Sequence, residues 1–227
     1  MINVNIALSP SWFLGYDSLI ELFGMFTALL ICFYSYRLFR MVKEKKYLYL
    51  SLSFFFIGAA LAARAGSYLL MYFSWGHIRT IGSPIAKNII QSSTLNFLGF
   101  SAHIILMLAA FMTLIALNMK VKDKKLISLL FILAFTSSFL GIYVAYALFF
   151  IVSFILLLYI THYFYQNYAE KKTAQSRNVL LAFAILTGAQ LLFALSSVWN
   201  TFYVAAEIVQ LISFITLLIH FIRLFRK

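Results

Sequence analysis

The chain has 227 residues, of which 64% are hydrophobic and only 11% charged, and its mean hydropathy is +0.96. A soluble domain of this size could not keep so apolar a surface in water, so the composition predicts an integral membrane protein. The net charge of +12 does not indicate nucleic-acid binding, because the basic residues form short clusters between long apolar runs rather than one continuous stripe.

The apolar runs predict an all-α bundle of seven transmembrane helices in a single domain, residues 1–227. Before the first helix come Ser9-Pro10 and Trp12, and Ser18 with Glu21 has the spacing of a capping box at its start. Residues 126–165 carry no formal charge and are long enough for two spans of about 20 residues each. The predicted helices cover residues 17–40, 47–73, 95–119, 125–142, 145–166, 178–198 and 201–223.

The second predicted helix contains a single formal charge, Arg64. Gly58, Ala62 and Gly66 recur in it at four-residue spacing, a pattern that lets two membrane helices approach closely. Because a cation at this depth is costly, Arg64 must either snorkel outward or face the bundle interior and find a partner there. With six sister helices available, we expect the small-residue seam to make a contact within the chain.

The basic residues predict the orientation of the bundle. With seven helices, fifteen of the 18 Lys and Arg residues lie on one side, Arg79 and Lys87 lie on the other, and Arg64 lies within the membrane. Since short loops rich in Lys and Arg stay in the cytoplasm, the N-terminus is expected outside and the C-terminus inside. The predicted localisation is the cell membrane, as a multi-pass protein.

Several helices place polar residues in the outer half of this predicted bundle. One interpretation is a small ligand-binding pocket that opens to the outside, with Arg64 and Glu207 as a charge pair. The alternative is a structural ion pair, with Glu21 merely capping the first helix and His103 bonded to a neighbouring helix. The candidate site residues are Glu21, Arg64, His103, Gln190, Tyr203, Glu207 and Gln210.

The sequence lacks the signatures of the common membrane enzymes. The last predicted helix has no lysine for a retinal Schiff base between Leu211 and Ile222, and four histidines spread over two membrane surfaces cannot form a three-histidine zinc site. There is no GxSxG, no HExxH and no glycine-rich phosphate loop. We therefore expect a protein that is not an enzyme and that uses no cofactor or metal.

The layout resembles the seven-helix sensing modules fused to histidine kinases, which also have an outside N-terminus and an aromatic, basic end to helix 1 like residues 34–40 here. The favoured interpretation is a receptor-like or sensory protein that binds a small molecule or lipid in its outer half and signals through a separate protein partner. A small-solute or ion transporter is the second interpretation, and a non-catalytic scaffold subunit is the third. The basic inner surface is expected to hold anionic lipid headgroups.

Overall fold

In the computed structural model, residues 9–10, 12–13, 15–81, 93–118, 132, 136 and 146–225 are described. They form six long helices, each with a stretch long and apolar enough to cross a membrane, so the chain is a multi-pass helical membrane protein. The helices are α1 (Tyr16–Val42), α2 (Lys45–Ile81), α3 (Ser93–Asn118), α4 (Tyr146–Lys171), α5 (Ala174–Leu195) and α6 (Thr201–Phe225).

The observed helix boundaries correct several predicted ones. α2 continues beyond residue 73 to Ile81, and α4 continues beyond residue 166 to Lys171, because polar residues can prolong a helix after it leaves the apolar region. α5 begins four residues early, where the Thr173 hydroxyl accepts a hydrogen bond from the Ser176 backbone N–H and caps the helix. The helix predicted at 125–142 lies outside the described residues except for Ile132 and Thr136, which are both helical.

The described helices form a closed ring. Each packs against the next in chain order, and α6 returns to pack against α1. α1 and α2 are antiparallel, since Ser51 at the start of α2 bonds to Cys32 late in α1. α3 is antiparallel to α2, because Gly99 lies at Ala63 and His103 lies further back along α2, at Ala60. α6 is also antiparallel to α2, since Glu207 contacts Arg64 and Phe221 contacts Phe54. α5 is antiparallel to both α4 and α6, as the successive contacts Phe193–Phe150 and Phe183–Phe164, and Phe193–Tyr203 and Ala182–Ser213, show. α1, α3, α4 and α6 therefore run in one direction, and α2 and α5 run in the other.

The small-residue seam predicted on α2 is only partly correct. A Cβ at Gly58 would lie 3.1 Å from the Leu29 side chain, so this glycine does let α1 approach closely within the chain. At Gly66 a Cβ would meet no described atom within 4 Å, so that position makes no close approach. The tightest glycine is on α3: a Cβ at Gly99 would collide with Ser67 Oγ and lie 3.2 Å from the Ala63 carbonyl oxygen.

The capping box predicted from Ser18 and Glu21 does not form. α1 begins at Tyr16, so Ser18 lies within its first turn, and the N-cap position is Gly15, whose φ of 104° suits glycine. Asp17 supports this helix start instead, because its Oδ1 accepts hydrogen bonds from the backbone N–H groups of Gly15 (2.9 Å) and Ser18 (2.8 Å). The Glu21 side chain is thereby left for a different role.

Candidate functional site

Arg64 is buried inside the bundle and joins three helices. Its side chain is 1% exposed, and the two carboxylates beside it, Glu21 on α1 and Glu207 on α6, are fully buried. Arg64 Nη2 donates a hydrogen bond to Glu207 Oε1 at 2.8 Å. Arg64 Nη1 lies 2.5 Å from Glu21 Oε1, which makes an ion pair, but this approach lacks hydrogen-bond geometry. One guanidinium is therefore shared by carboxylates from two different helices.

Two tyrosines extend this network. Arg64 Nη2 also donates to Tyr203 Oη at 3.1 Å and lies 3.5 Å from Tyr68 Oη, and the Tyr203 hydroxyl donates to Tyr68 Oη at 2.8 Å. Phe193 of α5 covers the guanidinium, with 5.0 Å between Arg64 Cζ and the ring centroid. Phe193 in turn stacks on Phe150 of α4 at 4.8 Å. Cation–π and hydrogen-bond contacts thus surround the arginine with α2, α5 and α6.

A third buried carboxylate lies near the pair. Asp17 on α1 is fully buried and close enough to Glu21 and Glu207 to act on both electrostatically. Gln210 on α6 lies close to Glu21 without reaching hydrogen-bond geometry. Two carboxylates thus contact the guanidinium, and a third lies near those two. The buried atoms without a hydrogen-bond partner in this group are Asp17 Oδ2, Glu21 Oε1 and Oε2, Glu207 Oε2, Arg64 Nε and Gln210 Nε2.

The structure brings most of the candidate site residues together. Glu21, Arg64, Tyr203 and Glu207 are in direct contact, and Gln210 lies at their edge. The contact between Arg64 and Glu207, which the sequence left open, is present.

The other two candidates have separate surroundings. His103 donates from Nδ1 to the Ala60 carbonyl oxygen at 3.0 Å, which is a bond to the neighbouring helix. Gln190 is buried on α5, one turn before Phe193, with no direct contact to Arg64 and with its Oε1 unpaired among the described residues.

Three residues in or beside the Arg64 network, Asp17, Tyr68 and Phe193, were not among the candidates. Asp17 and Glu21 are four residues apart on α1, and Arg64 and Tyr68 are four apart on α2, as Tyr203 and Glu207 are on α6. That spacing puts each pair on one helix face, so extending the stripe from Arg64 and from Glu21 by one turn would have found Tyr68 and Asp17. Phe193 has no such signal, since it is one phenylalanine among 25.

The residues before α1 cover the site at the ends of α1 and α6. The Phe13 ring packs edge-on against Tyr203 at 6.4 Å, and Phe13 itself is only 7% exposed. A turn holds it there, because the Phe13 N–H donates to the Pro10 carbonyl oxygen at 2.9 Å. We call Pro10 and Phe13, together with the turn between them, the aromatic cover. With this cover in place, the Arg64 network is closed to solvent by the described residues.

Within the described part of the chain, no group of three or more His, Cys, Asp or Glu side chains is arranged to hold a metal ion. Comparisons of the chain with protein-family models, with curated proteins and with solved structures found no match. Any functional conclusion therefore depends on the geometry around Arg64.

Proposed function

We propose that this protein is a receptor-like or sensory module of the cell membrane that binds a small molecule or a lipid headgroup at the Arg64 network. It acts by binding and not by catalysis, and a separate protein partner at the basic, cytoplasmic surface detects the resulting change in conformation. The observation that carries the proposal is the sharing of one buried guanidinium by Glu21 and Glu207. A ligand that engages either carboxylate changes how α1 or α6 is held to α2, which gives binding a mechanical consequence.

Seven spans with an outside N-terminus remain part of this proposal. The parallel arrangement of α3 and α4 supports the count, because α3 ends at Asn118 and α4 begins at Tyr146 at opposite ends of the bundle. The span predicted at 125–142 would connect those two ends. The excess of Lys and Arg at one end of the bundle supports the orientation.

The unpaired atoms of the network indicate the chemistry of the ligand. Three of them are carboxylate oxygens with neither a hydrogen bond nor an ion pair, Asp17 Oδ2, Glu21 Oε2 and Glu207 Oε2, which accept, and two are nitrogens, Arg64 Nε and Gln210 Nε2, which donate. A buried polar atom without a partner costs about 1–3 kcal/mol, so a molecule that satisfies several of these atoms gains affinity from each. Because acceptors outnumber donors, the proposed ligand is rich in donors, as an amine is, either free or as the amino headgroup of a lipid.

Thermal unfolding of the full chain in detergent tests the proposal. The probes are ethanolamine, spermidine and phosphatidylethanolamine, each compared with buffer alone. A ligand present at about 100 times its Kd stabilises the folded state by about 2.7 kcal/mol, which is a readily measured rise in Tm. We expect at least one probe to raise Tm of the unmodified protein. A rise with a free amine indicates a soluble ligand, and a rise with phosphatidylethanolamine indicates a lipid headgroup.

Matched variants identify where the probe acts. Glu207→Gln and Glu21→Gln should abolish the rise, whereas Glu170→Gln, which removes an exposed carboxylate at the end of α4, should keep it. Flux of a probe in proteoliposomes that depends on Glu207 would instead make the protein a transporter. Strong coupling between Arg64 and Glu207 with no response to any probe would make the network structural and favour the scaffold interpretation.

A further inference from the structure

A groove of about 370 Å³ runs between α1 and α2 on the outside of the bundle, in the half opposite to Arg64. Its floor contains Cys32 and Ser51, and the Ser51 hydroxyl donates to the Cys32 carbonyl oxygen at 3.0 Å. The polar atoms of the floor are thus satisfied by each other. The walls are exposed Leu, Phe and Tyr side chains, so the groove presents an apolar surface to the surrounding membrane.

The two walls follow regular helical stripes that end in basic residues. On α1 the wall is Leu29, Phe33 and Tyr36, and the same 4–3–4 spacing continues to Arg40. On α2 the wall is Leu48, Leu52 and Phe55, and a 3–4–3 spacing leads back to Lys45. Residues three or four apart share a helix face, so both cations lie at the same end of the groove, beside the turn that joins the helices.

The cations at this end are available for a ligand. Lys46 pairs with Glu44, but neither Arg40 nor Lys45 has an ion-pair partner among the described residues, and both are exposed. From Arg40 to Leu29 is 11 residues, or about 16 Å along a helix. That distance matches one leaflet of the hydrocarbon core, which is about 30 Å thick in total.

We infer that this groove is a binding site for one anionic phospholipid, whose acyl chain lies between Leu29, Phe33, Leu52 and Phe55 and whose phosphate contacts Arg40 and Lys45. The apolar walls select a chain, the two cations select a negative headgroup, and the separation between them matches the depth of one leaflet. The site is independent of the Arg64 network and of the function proposed for it.

The test measures lipid retention by the full chain. Protein reconstituted in vesicles of equal palmitoyl-oleoyl phosphatidylglycerol and phosphatidylcholine is extracted into detergent, and native mass spectrometry gives the ratio of the two lipids retained. We expect phosphatidylglycerol to dominate at about one molecule per chain. Arg40→Gln and Lys45→Gln should each lower that ratio about fivefold, since a basic residue near the surface contributes about 1 kcal/mol. Leu52→Trp, which fills the groove, should abolish retention of the single lipid.

Two matched controls keep the inference open to refutation. Lys171→Gln with Arg177→Gln removes the same kinds of charge from the turn between α4 and α5, and Leu158→Trp adds the same ring to an exposed position on α4. Both should retain the lipid. Equal retention of the two lipids in the unmodified protein, or equal losses in the control variants, would overturn the inference. A dimer that Leu52→Trp dissociates would also overturn it, because a second copy of the chain would then occupy the groove.

Discussion

The two halves of the bundle are held together in different ways. In the half that contains Arg64, α1, α2 and α6 meet through buried charges, and several of the carboxylate oxygens there have no hydrogen-bond partner. In the opposite half, the helices meet through rings and hydroxyls: Phe164 stacks on Phe183 at 4.7 Å, and the Ser213 hydroxyl donates to the Ala182 carbonyl oxygen at 2.8 Å.

The opposite half is thus held by contacts that stabilise it at little cost, whereas the Arg64 half contains buried polar atoms that lack hydrogen-bond partners. Rings and paired hydroxyls pack helices at little electrostatic cost, and the Ser35 Oγ atom is a buried polar atom of that half that has no hydrogen-bond partner. Buried carboxylates do so only at a cost, since desolvating them is expensive and each unpaired oxygen adds to that expense. A ligand that gives these unpaired oxygens a partner would therefore gain the most binding free energy in the Arg64 half, where the proposed binding site lies.

The largest expected effect comes from removing the shared cation. Arg64→Ala should lower the free energy of unfolding by about 3–5 kcal/mol, because it leaves Glu21 and Glu207 buried without a positive partner. Adding Glu21→Gln and Glu207→Gln should recover part of that loss, as measured by Tm in detergent. In the opposite half, Phe54→Ala leaves a cavity next to Phe221, and Phe221→Ala should not recover its loss.

That recovery is the decisive part of the measurement. If the glutamine changes add their own full cost to Arg64→Ala, the three side chains are not one network, and the contrast between the halves disappears.

A smaller effect is expected from helix spacing within the Arg64 half. Gly99→Ala should cost about 1–3 kcal/mol, since its Cβ would collide with Ser67 and press on the backbone of α2. Gly66→Ala is the matched control: it adds the same methyl group where no described atom lies within 4 Å, and it replaces glycine in a helix. Its stability should be unchanged or slightly raised. Equal losses at both positions would mean that close approach of α2 and α3 is not what Gly99 provides.

The sequence predicted the six described helices because a bilayer demands long apolar runs, and those runs are visible without any knowledge of packing. It also predicted that Arg64 either snorkels outward or finds a partner in the bundle interior, since an unpaired cation in a membrane is costly. Its local spacing offered Glu21 as a helix cap beside its place among the candidate site residues, and it could not choose between them because the ion pair with Arg64 is a contact between helices. Phe193, Gly99 and the aromatic cover depend on how helices face one another, and no periodicity in one sequence encodes that.

The smallest expected effect concerns a hydrogen bond between α4 and α5. Thr161 and Thr187 join α4 to α5 through hydroxyls 2.8 Å apart, and since Thr187 donates its hydrogen to the Phe183 carbonyl oxygen, Thr161 is the donor between the helices. Such bonds in membranes couple by about 0.6 kcal/mol on average, so a double-mutant cycle of Thr161→Val and Thr187→Val should give about that value. The same cycle with Thr216→Val in place of Thr161→Val should give none, because the hydroxyl of half-buried Thr216 donates to the Ile212 carbonyl oxygen of its own helix. A coupling between Thr161 and Thr187 as large as that between Arg64 and Glu207 would mean that polar contacts stabilise both halves alike, and the special role assigned to the Arg64 network would lose its basis.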